Sequence, residues 1–300
     1  MGSTIGIVTA EGISAARVEG DSVSGPIEFH PEDGGLAEDL LGMPAEGICL
    51  KLCEVIERAL KGHELSTVGL AFPGMIRDNV VLEAPNYPQV KGFALGEAVR
   101  AQLANLGHHS SVTVSNDADV VAAGIAASRN QLDRLIRVWT LGNGIGFGHY
   151  PVGAGVWEGG HTVVTLDPKE KYCGCGGAGH LEGIMGYRAM RLRFLDMEPE
   201  EIFEQANEGD VRCADFVKLW HRALAAATAN SLHMDGPGKF FLTGPSANFL
   251  NLAMLNRYMH EMVKMSPLQG YVFEIVPSGQ EIAIVGAAVN ARRAASAAAA

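Results

Sequence analysis

The stretch that most constrains how this chain can fold is Cys173-Gly-Cys175-Gly-Gly-Ala-Gly-His180-Leu-Glu182, preceded by Glu158-Gly-Gly-His161. It is rich in glycine and poor in apolar side chains, so burial of hydrophobic surface cannot order it. Two thiols and two imidazoles lie between positions 161 and 180. Zinc takes four such N and S donors tetrahedrally, and a site with all four positions filled is structural. His161, Cys173, Cys175 and His180 are therefore the candidate ligands, and two thiolates with two neutral imidazoles would balance the charge of the ion. A metal there would hold Glu158, His161 and Glu182 near one another, which suits a polyhydroxylated ligand better than an apolar one. The plainer reading makes such cysteines ordinary buried thiols. It fits Cys213, and it fits Cys49 and Cys53, which lie four apart on the inner face of an expected helix. It fits Cys173 and Cys175 poorly, because no apolar periodicity surrounds them.

The net charge of −11 argues against a nucleic-acid partner, which normally leaves a basic footprint. It leaves room for a magnesium nucleotide, which needs only local donors. With 47% hydrophobic residues, 300 positions can bury one large core or two moderate ones. No stretch approaches the roughly 20 apolar residues of a membrane span, and Met1-Gly-Ser-Thr carries no signal-peptide pattern. Few cysteines suit a reducing compartment. The expected setting is the cytoplasm, with no membrane partner.

Short β-compatible runs open the chain at Ser3–Thr9, Ile13–Val18 and Pro26–His30. Ala45–Lys61 has helical spacing, with Ile48, Leu52, Val55, Ile56 and Ala59 on one stripe. A strand at Thr67–Phe72, a helix at Ala94–Leu106, a strand at Val112–Val114 and a helix at Ala118–Ser128 follow. The second half repeats this logic, with strands at Leu135–Leu141 and Ile145–Tyr150, then helices at Leu181–Phe194, Pro199–Ala206 and Val211–Leu232. Next come a strand at Phe240–Leu242, a helix at Ser246–Val263, a strand at Tyr271–Ile275 and a closing helix at Glu281–Ala295. Strands alternating with helices in both halves imply two α/β domains facing a cleft. The expected division is a smaller domain over residues 1–115, joined by the closing helix 281–295, and a larger one over 116–280 that carries the zinc loop.

Asn116-Asp117 stands where a strand ends and a helix begins, and ligands of open α/β sheets gather outside strand carboxyl ends. Asn as helix cap and Asp in the first turn explain the pair without a ligand. The alternative is that Asp117 takes a proton from a substrate hydroxyl while Asn116 fixes that substrate. Gly142-Asn143-Gly144-Ile145-Gly146-Phe147-Gly148 fits either a plain hairpin or a backbone approach to phosphate. Gly244-Pro-Ser246 and Val285-Gly286-Ala-Ala288 are explained by tight turns and close helix packing. In the loop Ala84-Pro85-Asn86, Asn86 is a polar group well placed for a sugar.

Taken together, these motifs resemble the ROK family of bacterial sugar kinases and related regulators, from about Ile5 to Asn290. The most specific part is Glu158-x-x-His161 followed by Cys-x-Cys-Gly-x-x-Gly-x-x-Glu from Cys173 to Glu182. The resemblance implies a two-domain actin-like ATPase (ribonuclease H-like) fold, homodimeric, with a zinc-binding loop. It implies a glucokinase-type transfer of the γ-phosphoryl of ATP, with Mg2+, to a hexose hydroxyl. By position, Asp117 would be the general base, and Asn86, Asn116, Glu158, His161 and Glu182 would bind the sugar. Gly142, Asn143, Gly144, Gly146 and Gly244 would face the nucleotide, and His161, Cys173 and Cys175 would bind structural Zn2+. The chain departs from the family pattern at three places. His180 stands where the family usually has cysteine, so the metal would have one less negative charge around it. Asn143 stands for threonine. The first phosphate segment, Asp-x-Gly-Gly-Thr in the family, reads Val8-Thr9-Ala10-Glu11-Gly12, with Glu11 the only acid. That last change favours a second reading, a sugar-binding protein that has lost transfer and acts as a sensor or partner.

Overall fold

The computed structural model describes residues 2–10, 12–153, 155 and 157–298. In chain order the regular elements are β1 (Ser3–Thr9), β2 (Ile13–Glu19), β3 (Ser22–His30), α1 (Glu38–Gly42), α2 (Ala45–Leu60), β4 (Leu65–Phe72), β5 (Met75–Arg77), β6 (Val80–Glu83), α3 (Leu95–Asn105), β7 (Ser111–Asn116) and α4 (Asp117–Ser128). There follow β8 (Ile136–Leu141), β9 (Ile145–Tyr150), α5 (Glu182–Met185), α6 (Tyr187–Arg193), α7 (Pro199–Glu208), α8 (Val211–Asp235), β10 (Lys239–Thr243), α9 (Leu252–Met262), β11 (Val272–Ile275) and α10 (Gln280–Ala298). The chain divides into one unit of residues 1–136, 148–157 and 279–300, and another of residues 137–147 and 158–278.

The first unit is a five-stranded sheet in the order β3-β2-β1-β4-β7. β1 pairs antiparallel with β2, while β4 runs parallel to both β1 and β7. The carboxyl ends of β1, β4 and β7 therefore lie along one edge. α2 buries Ile48, Cys49, Leu52, Cys53, Val55, Ile56 and Ala59, the face its sequence stripe marks out. Small residues let α10 lie almost on the backbone beneath it. A Cβ added at Gly286 would stand 1.7 Å from the Val120 carbonyl oxygen of α4, and one at Gly69 of β4 would stand 1.9 Å from that of Ala287. This close packing accounts for Val285-Gly286-Ala-Ala288 without a ligand.

The second unit is a four-stranded sheet in the order β11-β10-β8-β9, with β10 parallel to both β8 and β11. Its core gathers Trp139, Leu141, Phe203, Trp220, Phe240 and Leu255, all buried. The Trp139 indole N–H donates to Thr228 Oγ1 at 3.1 Å, which satisfies the polar edge of a fully buried ring.

Two expected helices are each broken. The run expected from Leu181 to Phe194 splits into α5 and α6 at Gly186, whose backbone is extended. That break sends the Tyr187 N–H to the Gly142 carbonyl at 3.1 Å. The run from Ser246 to Val263 splits into a 3-10 turn at Pro245–Phe249 and α9, because Asn251 caps α9 by accepting from the Met254 N–H at 3.0 Å. The β5–β6 hairpin was not anticipated. It turns on Asp78 and Asn79, both with positive φ, as a two-residue hairpin loop requires. No helix among the described residues is long and apolar enough to cross a membrane.

Candidate functional site

In the second unit the glycine-rich loop is folded into a short antiparallel clasp. The Val164 N–H donates to the Gly179 carbonyl at 2.8 Å, and the Leu181 N–H to that of Thr162 at 3.0 Å. Those bonds set His161 and His180 side by side, with Nδ1 atoms 3.3 Å apart. Cys173 Sγ lies 3.5 Å from His161 Nδ1 and 3.4 Å from Cys175 Sγ, which in turn lies 3.2 Å from His180 Nδ1. All four donor atoms fall within 4.8 Å of one another. A tetrahedral zinc site with arms of about 2.0–2.3 Å has edges of about 3.3–3.8 Å; the four neighbouring separations lie close to that range, and the donor chemistry suits the ion.

Electrostatics argues the same way. Burial pushes the Cys173 thiol up to about 12, with the nearby Cys175 and Glu182 adding to it. A thiolate there needs a cation beside it. His180 is pushed below its ordinary value by burial and by the adjacent His161, which favours the neutral imidazole a metal takes. An imidazole is larger than a thiol, and Gly177 makes room for it: a Cβ at Gly177 would stand 2.1 Å from His180 Cε1.

Two carboxylates flank the cluster. Glu158 is exposed, and its Oε2 lies 3.8 Å from His161 Nε2, the ring nitrogen that points away from the donor cluster. Such a carboxylate orients a metal-bound imidazole. Glu182, the first residue of α5, faces Cys173 Sγ with Oε1 at 3.6 Å and accepts from the Ile145 N–H with Oε2 at 3.1 Å. Sequence reasoning missed this second bond, since nothing local links positions 37 residues apart.

The turn that Glu182 grips joins β8 to β9. The Gly142 N–H donates to the Gly144 carbonyl at 3.1 Å, Asn143 and Gly144 are exposed, and Gly146 lies within β9. As the sequence implies, the segment after the turn is a strand and not a helix. Gly142 also meets the end of β10. A Cβ on it would touch Pro245 at 3.4 Å, and Gly244 takes the left-handed φ of +99° that its turn demands. The candidate nucleotide-side glycines thus share the carboxyl end of the parallel β8–β10 pair, the edge where such sheets take ligands. Gly148 does other work, packing so closely on α4 that a Cβ would lie 2.0 Å from the Ala118 carbonyl oxygen.

In the first unit, β7 ends at Asn116 and α4 begins at Asp117. Asn116 Oδ1 caps the helix by accepting from the Ala118 N–H at 2.8 Å, and its Nδ2 donates to the Gly74 carbonyl at 2.8 Å. The capping reading of Asn116 is therefore real, and its amide also hydrogen-bonds the Asp117 carboxyl. Asp117 Oδ1 accepts from the same Ala118 N–H at 3.0 Å. Burial raises the Asp117 carboxyl above its ordinary value, against the pull of the Ala118 N–H and the Asn116 amide.

Asn86 is exposed on the turn that the Tyr87 N–H closes onto the Ala84 carbonyl at 2.9 Å. Tyr87 itself is buried against Phe72, ring centroids 5.5 Å apart, and its hydroxyl donates to the Ala10 carbonyl at 3.1 Å. Ala10 begins the segment between β1 and β2, where Val8 and Thr9 are buried and the Ala10 N–H donates to the Gly12 carbonyl at 2.9 Å. Glu11 lies outside the described residues.

A glucokinase of Pyrobaculum calidifontis is 27% identical over 252 residues, 79% of this chain and 82% of that protein. The ROK hexokinase of Thermus thermophilus superposes with a TM-score of 0.75 at 23% identity, covering 98% of this chain and 99% of that one. A ROK family glucokinase of Streptomyces griseus, solved with glucose and AMPPNP, gives 0.68 at 23% identity over 97% and 100%. At these identities the structural likenesses establish the fold, which is the actin-like ATPase fold. The ROK family model matches residues 43–294, most of the sequence. A Cys/His cluster, a glycine turn and a strand-end aspartate thus sit in a chain that belongs to the ROK family.

Proposed function

We propose that this protein is a sugar kinase that transfers the γ-phosphoryl of ATP to a hexose hydroxyl, with Asp117 as the general base. The observation that carries the reading is Asp117 itself: a carboxylate at the carboxyl edge of parallel strands, raised by burial, in a ROK chain. A base serves best when its pKa is drawn up toward working pH, and phosphoryl transfer asks the protein mainly for positioning and a placed proton acceptor. The names of the relatives support a sugar and a nucleotide as substrates.

In this reading Asp117 Oδ2, the oxygen not committed to Ala118, takes the proton of the sugar hydroxyl while the hydroxyl oxygen attacks the γ-phosphorus and ADP leaves. Asn86, Asn116, Glu158, His161 and Glu182 hold the other hydroxyls. The Gly142–Gly146 turn and Gly244 meet the nucleotide. His161, Cys173, Cys175 and His180 would hold Zn2+, which supplies fixed loop geometry and takes no part in the transfer. In the first phosphate segment Val8, Thr9, Ala10 and Gly12 offer a magnesium ion no carboxylate, and Glu11 is the only acid.

The test is magnesium-dependent ADP formation across a panel of hexoses. Sugar-dependent turnover that disappears in Asp117→Asn is expected. The closed β1–β2 turn, pinned by Tyr87, specifically favours the second reading, a sugar-binding protein without transfer. Calorimetric sugar binding with no nucleotide affinity and no phosphorylated product would establish that reading instead.

A further inference from the structure

The turn between β8 and β9 is hydrogen-bonded by residues that leave the metal loop, while Gly160 and Pro245 pack against it. Glu182 takes the Ile145 N–H at 3.1 Å. Five residues on, the Tyr187 N–H takes the Gly142 carbonyl at 3.1 Å. At the break between α5 and α6, the space a Cβ of Gly186 would fill lies 2.8 Å from the Asn143 carbonyl oxygen. One short segment thus grips the turn at its start, its tip and its end. That segment begins two positions after His180, a member of the Cys/His cluster. It is also packed on the loop from below, since a Cβ at Gly183 would stand 2.9 Å from the Cys173 backbone nitrogen.

We propose that Glu182 is a positioning residue that couples the metal loop to the Gly142–Ile145 turn, so that metal occupancy sets the geometry, and hence the polyphosphate affinity, of that turn. The physical path is short. Fixing His180 and Cys173 on one ion fixes the start of α5. With α5 fixed, the Glu182 carboxylate stays on the Ile145 N–H, and the two exposed residues Asn143 and Gly144 keep one conformation. Without the ion the loop keeps its backbone bonds and the Arg193–Glu170 ion pair, but its four donor side chains lose the tie that a metal would supply. The carboxylate then gains freedom and the turn loses a charged hydrogen-bond partner. That the turn's ligand is a nucleoside triphosphate or inorganic polyphosphate rests on the kinase reading; the mechanical coupling does not.

The experiment is hydrogen exchange on the full chain, zinc-loaded and after chelation, following a peptide across Leu141–Phe147 with one across β10 as control. Chelation is expected to speed exchange at the Ile145 amide about tenfold, the factor a charged hydrogen bond carries, while β10 stays protected. Glu182→Ala, loaded with zinc to the same stoichiometry, should exchange at that amide like the chelated parent, and Glu182→Gln, whose amide oxygen can still accept, should stay near the loaded parent. In calorimetry with a non-hydrolysable ATP analogue and with polyphosphate, chelation should weaken binding by a similar factor. Unchanged exchange at Ile145 after chelation, or in zinc-loaded Glu182→Ala, overturns the coupling. Should the turn respond while neither phosphate ligand binds the loaded parent, the coupling stands and the kinase reading falls.

Discussion

The first unit closes its β1–β2 turn with a bond from the Ala10 N–H to the Gly12 carbonyl, and the second closes its β8–β9 turn with the same bond from Gly142 to Gly144. In both, the first carbonyl of the turn is taken by a tyrosine, through the Tyr87 hydroxyl on Ala10 and through the Tyr187 N–H on Gly142. The surroundings differ. The first turn follows buried Val8 and Thr9 and is tied to a buried aromatic pair. The second presents exposed Asn143 and Gly144 and is gripped from behind by a carboxylate. Two turns with one backbone pattern thus differ in what holds them, an aromatic hydroxyl in one and a carboxylate in the other. Backbone shape alone does not make a phosphate site. Free donors and room beside them do.

The largest expected effect concerns Asp117 of the first unit. Asp117→Asn should lower kcat by on the order of 10²–10⁴, the range for loss of a general base, in a coupled ADP assay. The pH dependence follows from the raised carboxyl. The base works only when ionised, so the acid limb of kcat/KM should lie above the ordinary value of 3.8. Because the folded state holds the proton more tightly than the unfolded chain, ionised Asp117 costs stability above its folded pKa, and that cost disappears below 3.8. Asp117→Asn should therefore melt higher than the parent at pH 7, with the gap closing as the pH falls. A gap that widens on acidification would contradict the raised carboxyl.

Next in size is the metal loop behind the second turn. Gly177→Ala places a Cβ where the His180 ring stands, and should weaken zinc binding about 10–100-fold by competition with a chromophoric chelator. Adding His180→Cys, with its smaller side chain, should restore much of the loss. No restoration would mean that Gly177 serves the loop's backbone and not the imidazole.

Gly144→Ala is milder and aims at the open turn directly. Its Cβ would stand 2.8 Å from Glu182 Oε2, so the carboxylate must swing off the Ile145 N–H. Donor KM should rise about tenfold, the worth of one charged hydrogen bond. Ala10→Gly in the closed turn should leave donor KM alone, and a rise there equal to that of Gly144→Ala would erase the contrast between the turns. The smallest effect belongs to Tyr87→Phe. Loss of its bond to Ala10 should cost about 1 kcal/mol of stability in urea unfolding, with donor KM unchanged.

Much of this was legible in the chain because it is local. The stripe from Ile48 to Ala59 is the buried face of α2, Ser3–Thr9 is a strand to the residue, and the Cys/His spacing marked the cluster that the clasp assembles. Where local pattern misled, a distant partner had intervened. The apolar run through Leu181–Phe194 reads as one helix until Gly186 opens to let Tyr187 reach Gly142. Asn251 ends a helical pattern because its side chain caps α9 and its N–H is held by His221 Nε2 at 2.9 Å.

Local pattern by itself marked most of the strands and helices, and residue type and spacing marked the four side chains that gather as a metal set. Both follow from contacts between near neighbours in sequence. Only the tertiary structure decided that Glu182 holds the Ile145 N–H, that Gly177 makes way for an imidazole, and that two like turns have unlike surroundings. Each of those depends on backbones brought within a few ångströms by folding, and no spacing along the chain encodes such a distance.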